Sequence, residues 1–175
     1  MEIKELFYND IKEDLLKNFN RYQEVTKCWR KENGSWIIKD ISYIDDWDND
    51  EKIERIISMK KEMQNGSRFI AAFINGEIVG FSHLRTKLFG ERNDYINLDK
   101  FHISNDYRNL GIGKELFVAT CNAAKSTGAK KLYLSAHSAL EPMAFYRNLG
   151  CVDAVEINKK LAEAEPCDCQ LEYSL

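Results

Sequence analysis

The chain has few prolines and glycines and no long apolar run. Only 2 of its 175 residues are proline and 9 are glycine, so no segment is typical of a flexible linker or a low-complexity tract. No apolar run approaches the roughly 20 residues that span a bilayer, and the first residues lack the basic and apolar regions of a signal peptide. With 44% hydrophobic and 30% charged residues, the sequence predicts one globular domain, residues 1–175.

A strong charge of either sign is also lacking. The formal net charge is −3 and the sequence pI is about 5.7, so nothing in the composition favours nucleic acid or a membrane surface as a partner. The five cysteines are an odd number, and the only close pair, Cys167 and Cys169, has no second pair or nearby histidine to complete a zinc site. We therefore expect free thiols in a cytoplasmic protein, and no metal.

The first 66 residues predict helices and a hairpin. Residues 8–23 space their apolar side chains as a helix does. Residues 23–38 surround Asn33-Gly34, a dipeptide that favours a tight hairpin turn, although 27–32 could instead continue the helix. The acidic run 45–51 suits the start of a helix, and an acidic lip for a cationic substrate is the alternative. The inner side of that helix is predicted to carry Ile53, Ile56, Ile57 and Met63.

The remaining residues predict a mixed α/β sheet with flanking helices. A hairpin turns at Asn75-Gly76 between strands 67–74 and 77–85, and a looser segment precedes a strand at 95–103. Ser138-Ala-Leu-Glu141 is a capping box that opens a helix ending at Gly150. The other predicted elements are a helix from Ile112, strands 130–135 and 151–157, and a last strand, 170–175, that could pair across a dimer.

The stretch from Phe101 to Lys114 leads a strand through a short turn into a helix, which is typical of a phosphate-binding turn. A Walker A loop is excluded because Gly-Ile-Gly-Lys is followed by Glu115 and lacks the earlier glycine. A dinucleotide fingerprint is excluded because Leu116 stands where the third glycine would be. What remains is Arg108-x-x-Gly111-x-Gly113 followed by a basic residue.

Two motifs together resemble the GNAT superfamily of acyl-CoA-dependent N-acyltransferases. The first is Phe101-His-Ile103 followed by Arg108-Asn-Leu-Gly111-Ile-Gly113, and the second is Phe145-Tyr146-Arg-Asn-Leu-Gly150-Cys151 about 30 residues further on. The resemblance implies a GNAT-like fold with a central, mostly antiparallel sheet and one splayed strand. It covers residues 67–175 as a CoA-binding core, and residues 1–66 would form the acceptor side.

The resemblance also implies how acetyl-CoA is held. The splayed strand would pair with the amide-rich pantetheine arm through its backbone, and the amides of the turn would surround the pyrophosphate. Many members have an asparagine where this chain has Ala139, and Ser138 is expected to replace its contact. The residues expected to bind the cofactor are Phe101, His102, Ile103, Arg108, Asn109, Leu110, Gly111, Ile112, Gly113, Lys114 and Ser138.

Acetyl transfer to an amine needs a base for the amine and an acid for the departing thiolate. Tyr146 is the expected acid, because the family places a thiolate-facing tyrosine at this position. Asp99 corresponds to a carboxylate that some members use as the base, and His102 and His137 are its rivals. A surface carboxylate paired with Lys100 or Arg85 is the other interpretation of Asp99.

The sequence therefore predicts an N-acetyltransferase that moves the acetyl group of acetyl-CoA to a primary amine of a small molecule or peptide by direct transfer. Its alternative is a CoA-binding sensor or interaction module without turnover. Aromatic residues that could line an acceptor pocket, or equally fill a core, are Trp29, Trp36, Tyr43 and Trp47.

Overall fold

A computed structural model describes all residues, 1–175, and contains nine strands and four α-helices. The first half holds β1 (Glu2–Leu6), β2 (Gln23–Glu32), β3 (Ser35–Asp45) and α1 (Asn49–Gln64). The core follows with β4 (Arg68–Ile74), β5 (Glu77–Phe89), β6 (Tyr95–Ile103), α2 (Ile112–Lys125) and β7 (Lys131–Ala136). The chain ends with α3 (Leu140–Asn148), β8 (Val152–Asp153), α4 (Lys159–Ala164) and β9 (Cys169–Ser174).

Seven strands form one sheet in the order β1-β4-β5-β6-β7-β9-β8, and β2 and β3 form a separate two-stranded sheet. Every neighbouring pair of the large sheet is antiparallel except β6 and β7. The predicted mixed α/β architecture with a mostly antiparallel central sheet is therefore confirmed.

The parallel strands β6 and β7 pair only where they begin. Their register covers Tyr95, Ile96 and Asn97 against Lys131, Leu132 and Tyr133, and the remaining residues of both strands have no ladder between them. From Leu98 onward, β6 still pairs with β5 on one side. On its other side the backbone edge of β6 is unpaired and faces the gap that opens between β6 and β7. The predicted splayed strand is present, and its free edge is a template for an extended, amide-rich molecule.

A β-bulge also distorts β6 on its β5 side. His83 pairs with Lys100 and the next residue, Leu84, pairs with Leu98, so Asp99 is an extra residue without a partner on β5. Bulges bend a strand and redirect side chains. Here the side chain of Asp99 reaches His83 and Arg85 of β5.

The sheet buries a different core on each face, as the alternation of side chains along a strand requires. One face packs against α2 and α3 and includes Leu84, Leu98, Leu116, Phe117 and Tyr146. The other face packs against α1 and the N-terminal segment and includes Phe19, Trp47, Met59, Phe69 and Phe81. No helix is both long enough and apolar enough to cross a bilayer.

The hairpin of β2 and β3 confirms the prediction for residues 23–38 and extends it to Asp45. Asn33 and Gly34 both have positive φ, 50° and 83°, as the favoured two-residue hairpin turn requires. The hairpin reaches the start of α3 through a bridge between Cys28 and Ala139 and a hydrogen bond from Trp29 N–H to Ser138 O of 2.8 Å.

The helix predicted over residues 8–23 is wrong. The segment forms a 3₁₀ turn at Tyr8–Asp10 and then separate turns, closed by bonds such as Phe19 N–H to Leu16 O (3.0 Å). Its apolar residues are still buried: Ile11, Leu16 and Phe19 are at most 1% exposed. The spacing of the apolar residues predicted correctly which side chains face inward. The backbone conformation, however, is determined by tertiary packing and not by the i to i+4 hydrogen bonds of a helix.

Four other expectations need correction. In α1 the buried residues are Ile56 and Met59, whereas Ile53 and Ile57 are 54% and 62% exposed. The strand predicted at 151–157 shrinks to β8, and β5 extends through the looser segment to Phe89. The last strand, β9, lies between β7 and β8 of its own chain, so its edges are already occupied rather than open to a second copy.

The acidic run before α1 has the structural role of a helix cap. The Asp48 carboxylate accepts from Glu51 N–H, and the Glu51 carboxylate accepts from Asp48 N–H, both at 2.9 Å. This reciprocal pair is a capping box, which satisfies two amides that have no intrahelical acceptor. The helix interpretation of the run is thus confirmed.

Candidate active site

The turn between β6 and α2 offers a row of free amides. None of the five main-chain N–H groups from Asn109 to Gly113 donates a hydrogen bond within the protein, and the next one, Lys114 N–H, bonds to Gly111 O. Asn109 and Gly111 adopt left-handed conformations, with φ of 62° and 83°, which bend the backbone around these amides. Successive unpaired amides at a helix N-terminus are an anion-binding site.

The helix itself starts without a side-chain cap. Its N-cap residue, Gly111, has no oxygen that could accept from the first-turn amides, and a Cβ built there would meet nothing within 4 Å. Lys114 is exposed and has no carboxylate within salt-bridge distance, so its ammonium group is free to contact a phosphate. This arrangement fits the pyrophosphate of CoA.

Arg108 is held more tightly than the sequence suggested. Its guanidinium donates to Ile103 O (3.2 Å), to Asn105 Oδ1 (3.2 Å) and to Arg21 O (3.1 Å). These bonds tie the turn to the end of β6 and to the N-terminal segment. Arg108 thus supports the turn through main-chain contacts, and its expected contact with phosphate stays a prediction.

The side chains of Phe101 and Ile103 face α2 and α3. Phe101 lies against Phe145 at 5.5 Å and against Tyr146 at 6.3 Å between ring centroids. A Cβ added to Gly113 would lie 3.0 Å from the Phe145 ring and 3.7 Å from Ile103, so glycine is what allows α2 to approach here. The two sequence motifs therefore meet in space, with the free edge of β6 beside them.

Tyr146 lies where the two sequence motifs come together. It is 8% exposed and its ring packs between Phe101, Phe117 and Phe145, while its hydroxyl forms no hydrogen bond within the protein. Burial, and secondarily the nearby Cys151 and Asp168, raise the pKa of this phenol, so it keeps its proton at neutral pH. A protonated hydroxyl without a protein acceptor is available to donate to a developing thiolate.

Asp99 lies in a cluster of cationic and neutral donors. It accepts from Arg85 Nε at 2.8 Å and contacts His83 Nδ1 at 3.1 Å and Lys100 Nζ at 3.6 Å. Burial alone would raise its pKa, but these donors outweigh it and hold the pKa well below the usual range. A carboxylate this strongly stabilised in its charged form accepts a proton poorly at neutral pH.

His102 points to the face of the sheet opposite to Phe101. Its ring lies at the edge of Trp47 (4.9 Å) and near Phe81 (5.3 Å). Burial lowers its pKa well below the ordinary value, and the positive charges of Arg21 and Lys100 lower it further. The imidazole is neutral, and its side chain belongs to the core on the α1 side.

Ser138 does not cap α3, which corrects the predicted capping box. The N-cap residue is Ala139, and Ser138 Oγ instead accepts from Arg30 Nη1 of β2 at 2.6 Å. Ser138 is 2% exposed. Its role therefore includes anchoring the hairpin to the end of β7, and its expected contact with CoA stays a prediction.

His137 and Tyr43 form a pair that the sequence did not connect. Tyr43 Oη and His137 Nε2 are 2.5 Å apart, although 94 residues separate them in the chain. Asp168 and Arg30 near this pair, and the buried His83 beside Asp99, were also missed as site residues. The contact of the hairpin with the start of α3 brings Tyr43 and Arg30 to this place, whereas the β5–β6 and β7–β9 pairings place His83 and Asp168, so no local spacing signals these groups.

The comparisons with known proteins agree with this geometry. The model of the acetyltransferase (GNAT) family matches residues 5–151. A search of curated proteins found no match.

Solved structures share the fold at low identity. A nourseothricin acetyltransferase superposes with a TM-score of 0.68 at 14% identity, covering 98% of this chain and 95% of its own. A protein described as a streptothricin acetyltransferase from Bacillus anthracis str. Ames, in complex with acetyl coenzyme A, gives 0.70 at 18% identity and covers 99% and 98%. A GNAT acetyltransferase from Staphylococcus aureus Mu50 gives 0.55 at 24% identity, covering 69% and 75%.

The splayed strand, the free amides of the turn, the inward-facing tyrosine and a family match over residues 5–151 all agree. The chain belongs to the GNAT family of acetyltransferases.

Proposed function

We propose that this protein is an N-acetyltransferase that moves the acetyl group of acetyl-CoA directly to a primary amine of a small molecule or peptide. The observation that carries the proposal is the row of five free amides, Asn109 to Gly113, beside the unpaired edge of β6. The amides suit the pyrophosphate of acetyl-CoA, and the strand edge suits the pantetheine arm of the same molecule. Acetyl-CoA supplies the activated acyl thioester.

Four sets of residues would hold that molecule. The amides and Lys114 receive the phosphates, and the backbone of Phe101, His102 and Ile103 pairs with the arm. Arg108 keeps the turn in place through its main-chain bonds and adds positive charge. Ser138 supports the far side of the gap by fixing the hairpin to the β7 end.

Tyr146 is the proposed acid for the departing thiolate. Its hydroxyl carries a proton and has no protein partner, and its ring lies against that of the motif residue Phe101. Asp99 stays a prediction as the base. Its bonds to Arg85 and His83 favour the charged carboxylate, so its more direct effect is to order the bulged part of β6.

Residues 1–66 are proposed to select the acceptor. The nourseothricin and streptothricin acetyltransferases cover 98% and 99% of this chain, so their likeness extends over the N-terminal segment and the hairpin. The Staphylococcus aureus protein covers only 69%. An acceptor of the streptothricin class is therefore the first candidate within the proposed amines.

The test is thiol release from acetyl-CoA with a panel of streptothricin, polyamines, amino acids and lysine-containing peptides. We expect saturable CoA release with at least one amine and a mass increase of one acetyl group on that amine. Binding of acetyl-CoA without acetylation of any amine would overturn this proposal and favour a CoA-binding sensor. Hydrolysis without an amine product would overturn it as well.

A further inference from the structure

Asp168 stands at the start of the C-terminal strand, which pairs with β7 on the side opposite to β6. It directly precedes β9, whose first residue, Cys169, pairs with Ala136 at the end of β7. His137 follows the last residue of β7, so Asp168 and His137 would be the next pair in the same antiparallel register, just beyond the last ladder pair. This is the end of β7 that diverges from β6.

The Asp168 carboxylate is half-buried and has no partner. It forms no hydrogen bond through its side chain, and no lysine, arginine or histidine lies within 4.0 Å of it. Asp99 is the contrast, because three basic side chains lie within 3.6 Å of its oxygens. A half-buried carboxylate without a partner loses stability in its charged form unless a cation or a proton joins it.

The charge of Asp168 reaches both phenols of the site. It contributes to the raised pKa of Tyr43 and to that of Tyr146. Burial and the neighbouring Glu165 raise the pKa of Asp168 itself to about 6, against an opposing effect of Arg30. The charged or titratable groups around it are Glu165, Arg30, Tyr43, Tyr146 and Cys169.

The Tyr43–His137 pair beside it has a defined proton arrangement. Ala139 N–H donates to His137 Nδ1 at 3.2 Å, so the proton of the neutral ring is on Nε2 and is donated to Tyr43 Oη. Burial lowers the pKa of His137, and although Asp45 raises it, Arg21 and Arg30 oppose that effect, so the pKa stays below the ordinary value and the ring is neutral. The Tyr43 hydroxyl keeps its own proton, and its second lone pair is left to accept from an ammonium group.

The nearby cations are already neutralised or bound. Arg21 forms an ion pair with Asp45, and Arg30 donates to Trp29 O at 2.7 Å and to Ser138 Oγ at 2.6 Å. Arg30 keeps its positive charge because these oxygens are neutral, but Asp168 and Glu165 together outnumber it, so the local charge around Asp168 is negative. A negative, partly dehydrated position beside the proposed thiolate acid suits an ammonium ion.

We propose that Asp168 binds the ammonium group of the acceptor and takes its proton, and that Tyr43 and His137 position this amine for attack. The inference rests on the proposed acetyl transfer and names its base. It also sets the acceptor class, an amine that arrives as a cation between the hairpin and the start of β9.

The protons and electrons balance as follows. The ammonium ion gives one proton to Asp168, and the nitrogen lone pair forms the C–N bond to the thioester carbonyl carbon. The electron pair of the broken C–S bond goes to sulfur, which takes a proton from Tyr146. The second proton lost by nitrogen restores the phenol, and Asp168 releases its proton to solvent. Each turnover yields one amide, one thiol and one proton.

The test measures kcat/KM for an accepted amine from pH 5 to 8 in the wild type and in Asp168→Asn. We expect the wild-type value to fall tenfold per pH unit below about 6, because Asp168 must be charged. Asp168→Asn should lower kcat/KM about 100-fold at pH 7 and remove this fall. Glu163→Gln, an exposed change on α4, should stay within twofold of the wild type.

A second readout does not need turnover. Binding of the same amine to protein saturated with CoA, measured by calorimetry, should weaken at least tenfold in Asp168→Asn and recover in part in Asp168→Glu. A wild-type profile that is flat between pH 5 and 7 overturns the inference, even if the asparagine variant does not fold. Wild-type activity in Asp168→Asn overturns the base role alone, whereas failure of the wild type to acetylate any amine removes acetyl transfer and the base together.

Discussion

Gly111→Glu tests the anion site at the start of α2. Gly111 has a φ of 83° and open space around it, so a side chain there costs backbone strain of about 1–2 kcal/mol without a steric clash. The new carboxylate also brings a negative charge to the free amides. One pair of unit charges 4 Å apart costs about 1 kcal/mol in water, so about two phosphate charges cost about 2 kcal/mol, or roughly a 30-fold rise in Kd for CoA.

The matched control is Gly128→Glu, near the opposite end of the same helix. Gly128 has a φ of 87° and nothing within 4 Å of an added Cβ, so its backbone strain is the same. Both variants should lose similar free energy of unfolding in urea, while calorimetry should detect weaker CoA binding only for Gly111→Glu. The effect should shrink in high salt. Equal CoA affinities for the two variants would refute the placement of the pyrophosphate.

Three further changes test other parts of the structure. Tyr146→Phe should leave CoA affinity unchanged and lower kcat for thiol release at least tenfold, because only the donated proton is lost. Asp99→Asn should lower the free energy of unfolding by about 1–3 kcal/mol at pH 7. Phe19→Ala should cost about 3–5 kcal/mol, since Phe19 is 0% exposed, whereas Phe7→Ala, at a position 70% exposed, should change stability by less than about 0.5 kcal/mol.

The Asp99 prediction has a defined pH dependence. The folded protein lowers the pKa of this carboxyl, so its stabilisation is complete above the unfolded pKa of about 3.9 and is lost as pH falls through the folded pKa. The difference in the free energy of unfolding between the wild type and Asp99→Asn should become smaller below about pH 4. A difference in the free energy of unfolding that stays constant with pH would contradict the ion-pair account of Asp99. An unaltered rate of thiol release in Tyr146→Phe would remove Tyr146 as the acid. Equal losses of stability in Phe19→Ala and Phe7→Ala would contradict the packing of the N-terminal segment.

Most of the CoA-side fold could be predicted because its signals are local. Asn75-Gly76 marked a hairpin turn, and the structure has both residues at positive φ, 52° and 82°. The strand predicted at residues 95–103 has the bounds of β6. Such signals work because turn chemistry and strand alternation depend on neighbours within a few residues.

The wrong predictions lie where contacts between residues far apart in the chain determine the structure. Residues 8–23 repeat apolar side chains as a helix would, yet Phe19 is buried against Trp47 and Phe81 without forming one. Ser138 and Glu141 have the spacing of a capping box, but Arg30, 108 residues away, binds the serine hydroxyl instead. Local propensity is worth a few tenths of a kcal/mol per residue, less than the burial of one large side chain.

By itself, the sequence determined the strand, turn and helix from Phe101 to Lys114 and the tyrosine motif that follows, because each is written in consecutive residues. Only the tertiary structure decided which groups meet beside the gap in the sheet. It placed Asp99 among basic side chains and joined Tyr43 to His137, and it brought the charge of Asp168 close enough to raise the pKa of both Tyr43 and Tyr146. The reason is physical: the protonation state of a carboxyl depends on burial and on nearby charges, and these come from residues far apart in the chain.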